Sequence, residues 1–182
     1  MAAMAHGSSL ITGLSRGQDV THTLRAVERF SVIVTDAGDG RVRVERPIRH
    51  EPDDGLDHGN AGTGIRLTAG VCAGIDGMSV LTGDRFLRRR PMERIPAPLR
   101  LMGASVDGRQ GGKLAPLVIR GDSLTGITYA PKVASGQDKG ARLLAGLSAT
   151  GPTAVEEVHA TRRHTEEMLP SSEPGCGWTL TG

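Results

Sequence analysis

One order of elements occurs twice in the first 120 residues, and that repetition limits the fold more than any other feature of the chain. Thr21–Phe30 reads as a helix with Leu24, Val27 and Phe30 on one side. Val32–Thr35 follows as a strand, then a turn closing on Asp39-Gly40, a hairpin dipeptide, and the alternating strand Arg41–Glu45. About 72 residues later Met92–Met102 reads as a helix, Ala104–Val106 as a strand, Asp107–Lys113 as a Gly-rich turn and Leu117–Arg120 as the returning strand. A third copy begins at His164–Leu169 and is cut off. Two more helices, Thr63–Ala73 and Gln137–Leu147, fall between the copies. The unit is therefore strand–helix–strand–helix–hairpin, and such units must stack to bury faces that none can bury alone. The expected fold class is mixed α/β, a pseudo-threefold repeat of βαβαββ units with the third truncated.

Composition narrows the classes. At 182 residues the chain is about one domain of the usual ~100–200 residues. It holds 26 glycines and 10 prolines, and its aromatics are Phe30, Phe86, Tyr129 and Trp178, so the core is aliphatic and the architecture rich in turns. Lys and Arg number 22 against 20 Asp and Glu. That balance, with so few rings to stack on bases, argues against a nucleic-acid partner. No apolar run reaches the ~18 residues that span a bilayer, and Met1–Ser9 lacks the basic start of a signal peptide. Cys72 and Cys176 lie far apart with no Cys-x-x-Cys, which disfavours a zinc site or a disulfide framework. The expectation is a cytoplasmic chain without metal or cofactor.

Four segments have the residue types for chemistry. Asp57–Arg66 is a Gly-rich run leading into a helix; Gly59 and Gly62 let a ligand approach the main chain, and Asn60 or Thr63 caps the helix. The same residues also make an ordinary capped helix start. Val133–Gly140 repeats the pattern, with Ser135, Gly136 and Gln137 as a second anion cradle and Lys139 adding charge; a Ser N-cap with no ligand is the plainer account. Arg85–Met92 places Arg90 just before a proline at a helix start, where it can grip a carboxylate with two parallel hydrogen bonds, unless the cluster is only a solvated basic face. Thr161–Glu167 adds an Arg pair and a His ahead of a helix. No nucleophile elbow is present, so no Ser/His/Asp triad is inferred.

Taken in order, Gly13–Val20, Leu56–Leu67, Leu81–Asp84 with Arg90–Met92, Leu101–Ala104, Val133–Gln137 and Arg163–Glu166 strongly resemble the EPSP synthase (3-phosphoshikimate 1-carboxyvinyltransferase) family, from about residue 4 to 169. The resemblance implies a metal-independent transfer of the enolpyruvyl group of phosphoenolpyruvate to the 5-hydroxyl of shikimate 3-phosphate, in aromatic amino acid biosynthesis. It implies a fold of two domains closing on a cleft, with residues 1–169 one such domain, incomplete at its start. Residues 170–182 are a non-matching tail, with Trp178–Thr181 as a candidate last strand. By position, Gly62 and Arg90 resemble phosphoenolpyruvate contacts with Thr63 adjoining, the region where the inhibitor glyphosate would also sit. Gln137 resembles the residue touching both substrates. Ser135 and Gly136 correspond to the pair holding the shikimate phosphate, and Arg162 to a further residue near it.

The resemblance also implies parts that this sequence does not contain: a Lys-Ser phosphate loop just before Met1, and a second domain with the proton-moving groups. No catalytic group is therefore assigned here, a complete site in this chain alone is not expected, and a separate chain carrying the missing domain is the implied macromolecular partner. Smaller departures are Gly136 for Ala or Ser, His58 for Cys, and Pro96 as a second proline inside a helix, where an interior proline costs ~3 kcal/mol. Asp138 and Arg142 replace apolar residues and are expected to form an i, i+4 ion pair on a wetter helix face. Three rivals stay open: a UDP-N-acetylglucosamine enolpyruvyl transferase, an anion-binding module, and a degraded fragment without turnover.

Overall fold

The structure, a computed structural model, describes residues 1–157 and 159–169. The expected repeat is present as topology. Strand β1 (Ser9–Ile11) is followed by helix α1 (Gln18–Glu28) and strands β2 (Ile33–Asp36) and β3 (Val42–Glu45), and the three strands make an antiparallel sheet of order β1-β3-β2. The next unit runs β4 (Leu56–Asp57), α2 (Gly62–Ala73), β5 (Gly77–Thr82), α3 (Pro96–Leu101), β6 (Ser105–Gly108), the single turn α4 (Arg109–Gly112) and β7 (Leu114–Gly121). Its sheet order is β4-β5-β7-β6, with β4 and β5 parallel and β7 antiparallel to both its neighbours. Thus β5-α3-β6-β7 has the order and strand senses of β1-α1-β2-β3.

The third unit begins with β8 (Leu124–Thr125) and β9 (Thr128–Tyr129), crosses by α5 (Gly136–Gly146), and returns as β10 (Ala149–Thr150) and β11 (Ala154–Val155). β8 pairs in parallel with β10, and β9 with β11. Helix α6 (His164–Met168) then occupies the place of the third copy's opening. The tail, with its candidate strand Trp178–Thr181, and Cys176 lie outside the described residues.

Small residues make the core's central contact. α2 and α5 run side by side in the same direction, with Ala69, Ala73, Ala141 and Ala145 buried between and around them. At their closest point a Cβ on Gly70 would lie 2.0 Å from the Ala141 carbonyl oxygen, so only glycine fits. A chain with four aromatics can fill its interior this way because the backbones themselves come together. Both helices consequently start at the same end of the molecule.

Two expectations are corrected. Helix α3 begins at Pro96 rather than Met92, so Pro96 and Pro98 stand in its first turn, where the missing N–H groups have no intrahelical partner anyway. The interior-proline cost does not arise, and Pro91 lies in the linker ahead of the helix. Nor is the Asp138–Arg142 face wet: Asp138 is 4% and Arg142 2% exposed. They point inward because α5 packs that side against β8, β10 and β11, and the Arg142 guanidinium stacks 4.9 Å from the Tyr129 ring centroid. Its Nε and Nη2 have no hydrogen-bond partner among the described residues, and burial pushes its pKa down, with Asp138 acting in the opposite sense. An orphaned buried donor costs ~1–3 kcal/mol. Arg142→Met alone removes the cation that faces buried Asp138 and is expected to destabilise the protein in urea unfolding, whereas Asp138→Leu combined with Arg142→Met, which removes both charges and the orphaned donors, is expected to recover about 1–2 kcal/mol relative to the single variant. A double variant no more stable than Arg142→Met would show that the two charges do not act on each other.

Candidate functional site

The two helix starts lie side by side. Thr63 in the first turn of α2 accepts a 2.7 Å hydrogen bond from Gln137 Nε2 in the first turn of α5. Beside this bond opens a hollow of about 610 Å³ lined by Thr63, Leu67, Ala134, Ser135, Gly136, Gln137, Thr161, Arg162, His164 and Thr165, with Ala160 at its edge. The structure therefore brings Ser135, Gly136, Gln137, Arg162 and Thr63 together. Ser135 is the N-cap of α5, its hydroxyl accepting from Asp138 N at 3.3 Å. That first turn supplies N–H groups and the positive end of the helix dipole, and Arg162 lines the same hollow, its Cβ and main chain standing next to Gly136.

Gly62 and Arg90 meet at the rim rather than in the hollow. A Cβ on Gly62 would stand 2.6 Å from Arg90 Nη1 and 3.2 Å from Arg66 Nη1, so glycine is what lets two guanidinium groups crowd the start of α2. Arg90 Nη2 donates to Asn60 Oδ1 at 2.7 Å. This corrects the expected cap: α2 has Ala61 at its N-cap with no side-chain hydrogen bond, because Asn60 is drawn to Arg90 and Thr63 to Gln137. Two cations at an uncapped helix start make a strongly electropositive corner.

Lys139 does not add charge to the cradle. It is 3% exposed and bound internally, its Nζ 2.8 Å from Glu157 Oε2 and 2.6 Å from Glu166 Oε1. Burial opposes its charge, but the hydrogen bonds it donates to the two carboxylates outweigh that and hold its pKa above the ordinary lysine value. The same ion pair, with a hydrogen bond from Thr161, holds Glu157 below the ordinary glutamate value against its own desolvation. The network ties α5 to the Thr161–Glu166 segment and so carries Arg162 to the hollow.

Arg66 is the residue that the sequence reading left without a role. Its Nη1 donates to the Gly62 carbonyl and to Gln137 Oε1, each at 3.0 Å, and its Nη2 to the Pro91 carbonyl at 2.9 Å. One signal was present in the sequence: four residues after Gly62, its side chain can reach back along the helix to the first turn. A second hollow, of about 300 Å³, lies at the far ends of α2 and α5 and contains none of the predicted site residues.

Comparison with known proteins gives the family. The profile of EPSP synthase (3-phosphoshikimate 1-carboxyvinyltransferase) matches residues 1–173. A 3-phosphoshikimate 1-carboxyvinyltransferase of Syntrophotalea carbinolica is 47% identical over 172 residues, covering 93% of this chain and 40% of the relative. One from Anaeromyxobacter sp. (strain K) is 48% identical over 167 residues, covering 92% and 38%. The solved EPSP synthase of Acinetobacter baumannii matches with a TM-score of 0.88 at 40% identity, over 93% of this chain and 39% of that one. The chain thus spans about 40% of the length of the relatives it matches. Fold, ordered motifs and these likenesses together place the chain in the EPSP synthase family.

Proposed function

We propose that the hollow between the starts of α2 and α5 binds shikimate 3-phosphate, and that the Gly62–Arg90 rim is part of a phosphoenolpyruvate site, in the enolpyruvyl transfer of the family. The observation that carries this reading is the convergence of two helix N-termini, Ser135 and Arg162 on one hollow, with two guanidinium groups at its edge. Ser135 and the α5 amides would take the shikimate phosphate with Arg162. Gln137, reaching Thr63 across the gap, stands where both substrates would meet. Holding two highly charged molecules in register, with their repulsion offset, supplies much of what such a transfer needs. No proton-moving group is assigned among the residues of this hollow; turnover would need the remainder of the family's length, of which this chain spans about 40%, supplied in the same polypeptide or by a separate chain. The reading sets the chain in the cytoplasm, a reducing compartment where the buried thiol of Cys72 stays free.

The test is a chemical-shift titration with shikimate 3-phosphate. The isolated chain should bind it weakly, without releasing phosphate from added phosphoenolpyruvate. Ser135→Ala should abolish the response while Arg90→Ala leaves it, which would assign the shikimate phosphate to the α5 start. The reverse pattern would overturn the residue roles. UDP-N-acetylglucosamine should give no shifts; binding of that nucleotide sugar alone would favour the sister enzyme.

A further inference from the structure

We infer that Arg66 is a positioning residue that fixes which end of the Gln137 side-chain amide faces the ligand hollow. The inference rests on the reading of that hollow as an anion site, and its structural half stands apart from it. A glutamine amide is nearly symmetric in shape, and its two orientations differ only in whether an acceptor or a donor is presented. Thr63 cannot decide between them, because a hydroxyl both donates and accepts. Arg66 can: a guanidinium only donates, so the amide atom 3.0 Å from its Nη1 must be the oxygen. Turning the amide over would set NH₂ against a guanidinium N–H.

Arg66 is itself held so that it cannot follow such a turn. Its other contacts are main-chain carbonyls, Gly62 O at 3.0 Å in its own helix and Pro91 O at 2.9 Å in the linker that bears Arg90. With the oxygen fixed, Nε2 lies on the Thr63 side and donates one hydrogen to that hydroxyl at 2.7 Å. Its second N–H has no hydrogen-bond partner among the described residues, and both Thr63 and Gln137 line the hollow. The hollow is therefore offered a donor, which suits an anionic oxygen. The same guanidinium anchors the Arg90 linker, so one side chain orients contributors to both sides of the gap.

The experiment follows the two side-chain ¹⁵N–¹H signals of Gln137 in the ligand-free protein, then titrates shikimate 3-phosphate, with folding checked by circular dichroism. In the wild type the two protons should be well separated, and ligand should move both signals. In Arg66→Met the pair should collapse toward free-glutamine positions and binding should weaken about tenfold or more, the scale of one lost charge-assisted hydrogen bond. Arg66→Gln, which can present either amide end, should behave likewise and serves if the methionine variant does not fold. Arg66→Lys, still a donor-only cation, should keep the separated signals and recover most of the binding. A general loss of packing would not be rescued in this way. Unchanged Gln137 signals in Arg66→Met or Arg66→Gln would overturn the inference. A wild type that ignores shikimate 3-phosphate, while its amide signals respond to Arg66 as expected, would overturn the ligand reading alone.

Discussion

Gly70→Ala is expected to destabilise the protein by about 3 kcal/mol or more, at the upper end of overpacking substitutions. The added methyl carbon would stand 2.0 Å from the Ala141 carbonyl oxygen and under 3 Å from that residue's carbonyl carbon and Cα. All three are main-chain atoms, so no side chain can swing aside; α2 and α5 must separate by more than an ångström. Because the helices are parallel, that separation reaches the hollow as well and stretches the bond from Gln137 to Thr63. The midpoint of thermal unfolding should fall by about 10 °C, taking ~2–4 °C per kcal/mol at this size. Gly136→Ala is the control, since its methyl would meet Arg162 atoms no closer than 3.5 Å, an ordinary contact. If Gly70→Ala unfolds within half a kcal/mol of the control, the helices do not cross as described.

The second large effect is on acid stability. His58 is fully buried just after β4, with neither ring nitrogen hydrogen-bonded among the described residues, and its pKa is pushed down to about 4. Desolvation is the main cause; Asp57 pulls the other way and His22 adds to the lowering. In the unfolded chain the imidazole titrates near ~6.5, so between the two values the unfolded state binds the extra proton. Stability should therefore be level above pH ~7, fall as pH drops through that window, and level off again below ~4 as far as this group is concerned. The full difference is about 3 kcal/mol. Urea unfolding at several pH values, set beside His58→Cys, isolates the contribution from that of the carboxylates. The two proteins should diverge steadily in acid, and parallel profiles would mean that His58 is charged or solvated in the fold.

Legibility from sequence divided along a physical line. The repeat, both long helix starts and the Asp39-Gly40 hairpin could be read because each depends on residues a few positions apart. The hairpin shows it directly: Asp36 Oδ1 accepts from Gly38 N, and Gly38, Asp39 and Gly40 all have positive φ, so the turn is settled within its own loop. The fold then brings Ser135, Gly136, Gln137 and Arg162 to one hollow, with Thr63 beside them. What could not be read was the competition from distant partners. Asn60 and Thr63 are good capping residues, yet Arg90, 30 positions on, and Gln137, 74 positions on, take their side chains instead. Lys139 lies in a polar helix start, but the carboxylates that draw it inward come from Glu157 and Glu166 in the segment after the helix. The burial of Asp138 and Arg142 escaped for the same reason, since helical periodicity marks a polar stripe without saying what the fold will lay over it.

The bond between Thr63 and Gln137 spans 74 positions of chain. Contacts so remote along the polymer form slowly, because a long loop must close before they return any energy. Secondary structure and the hairpins can be in place while the two helix starts are still apart. Recognition of a ligand would then follow the meeting of α2 and α5 and act as a checkpoint on it: a molecule able to hold a doubly charged acid at this place has already brought those two helix starts together.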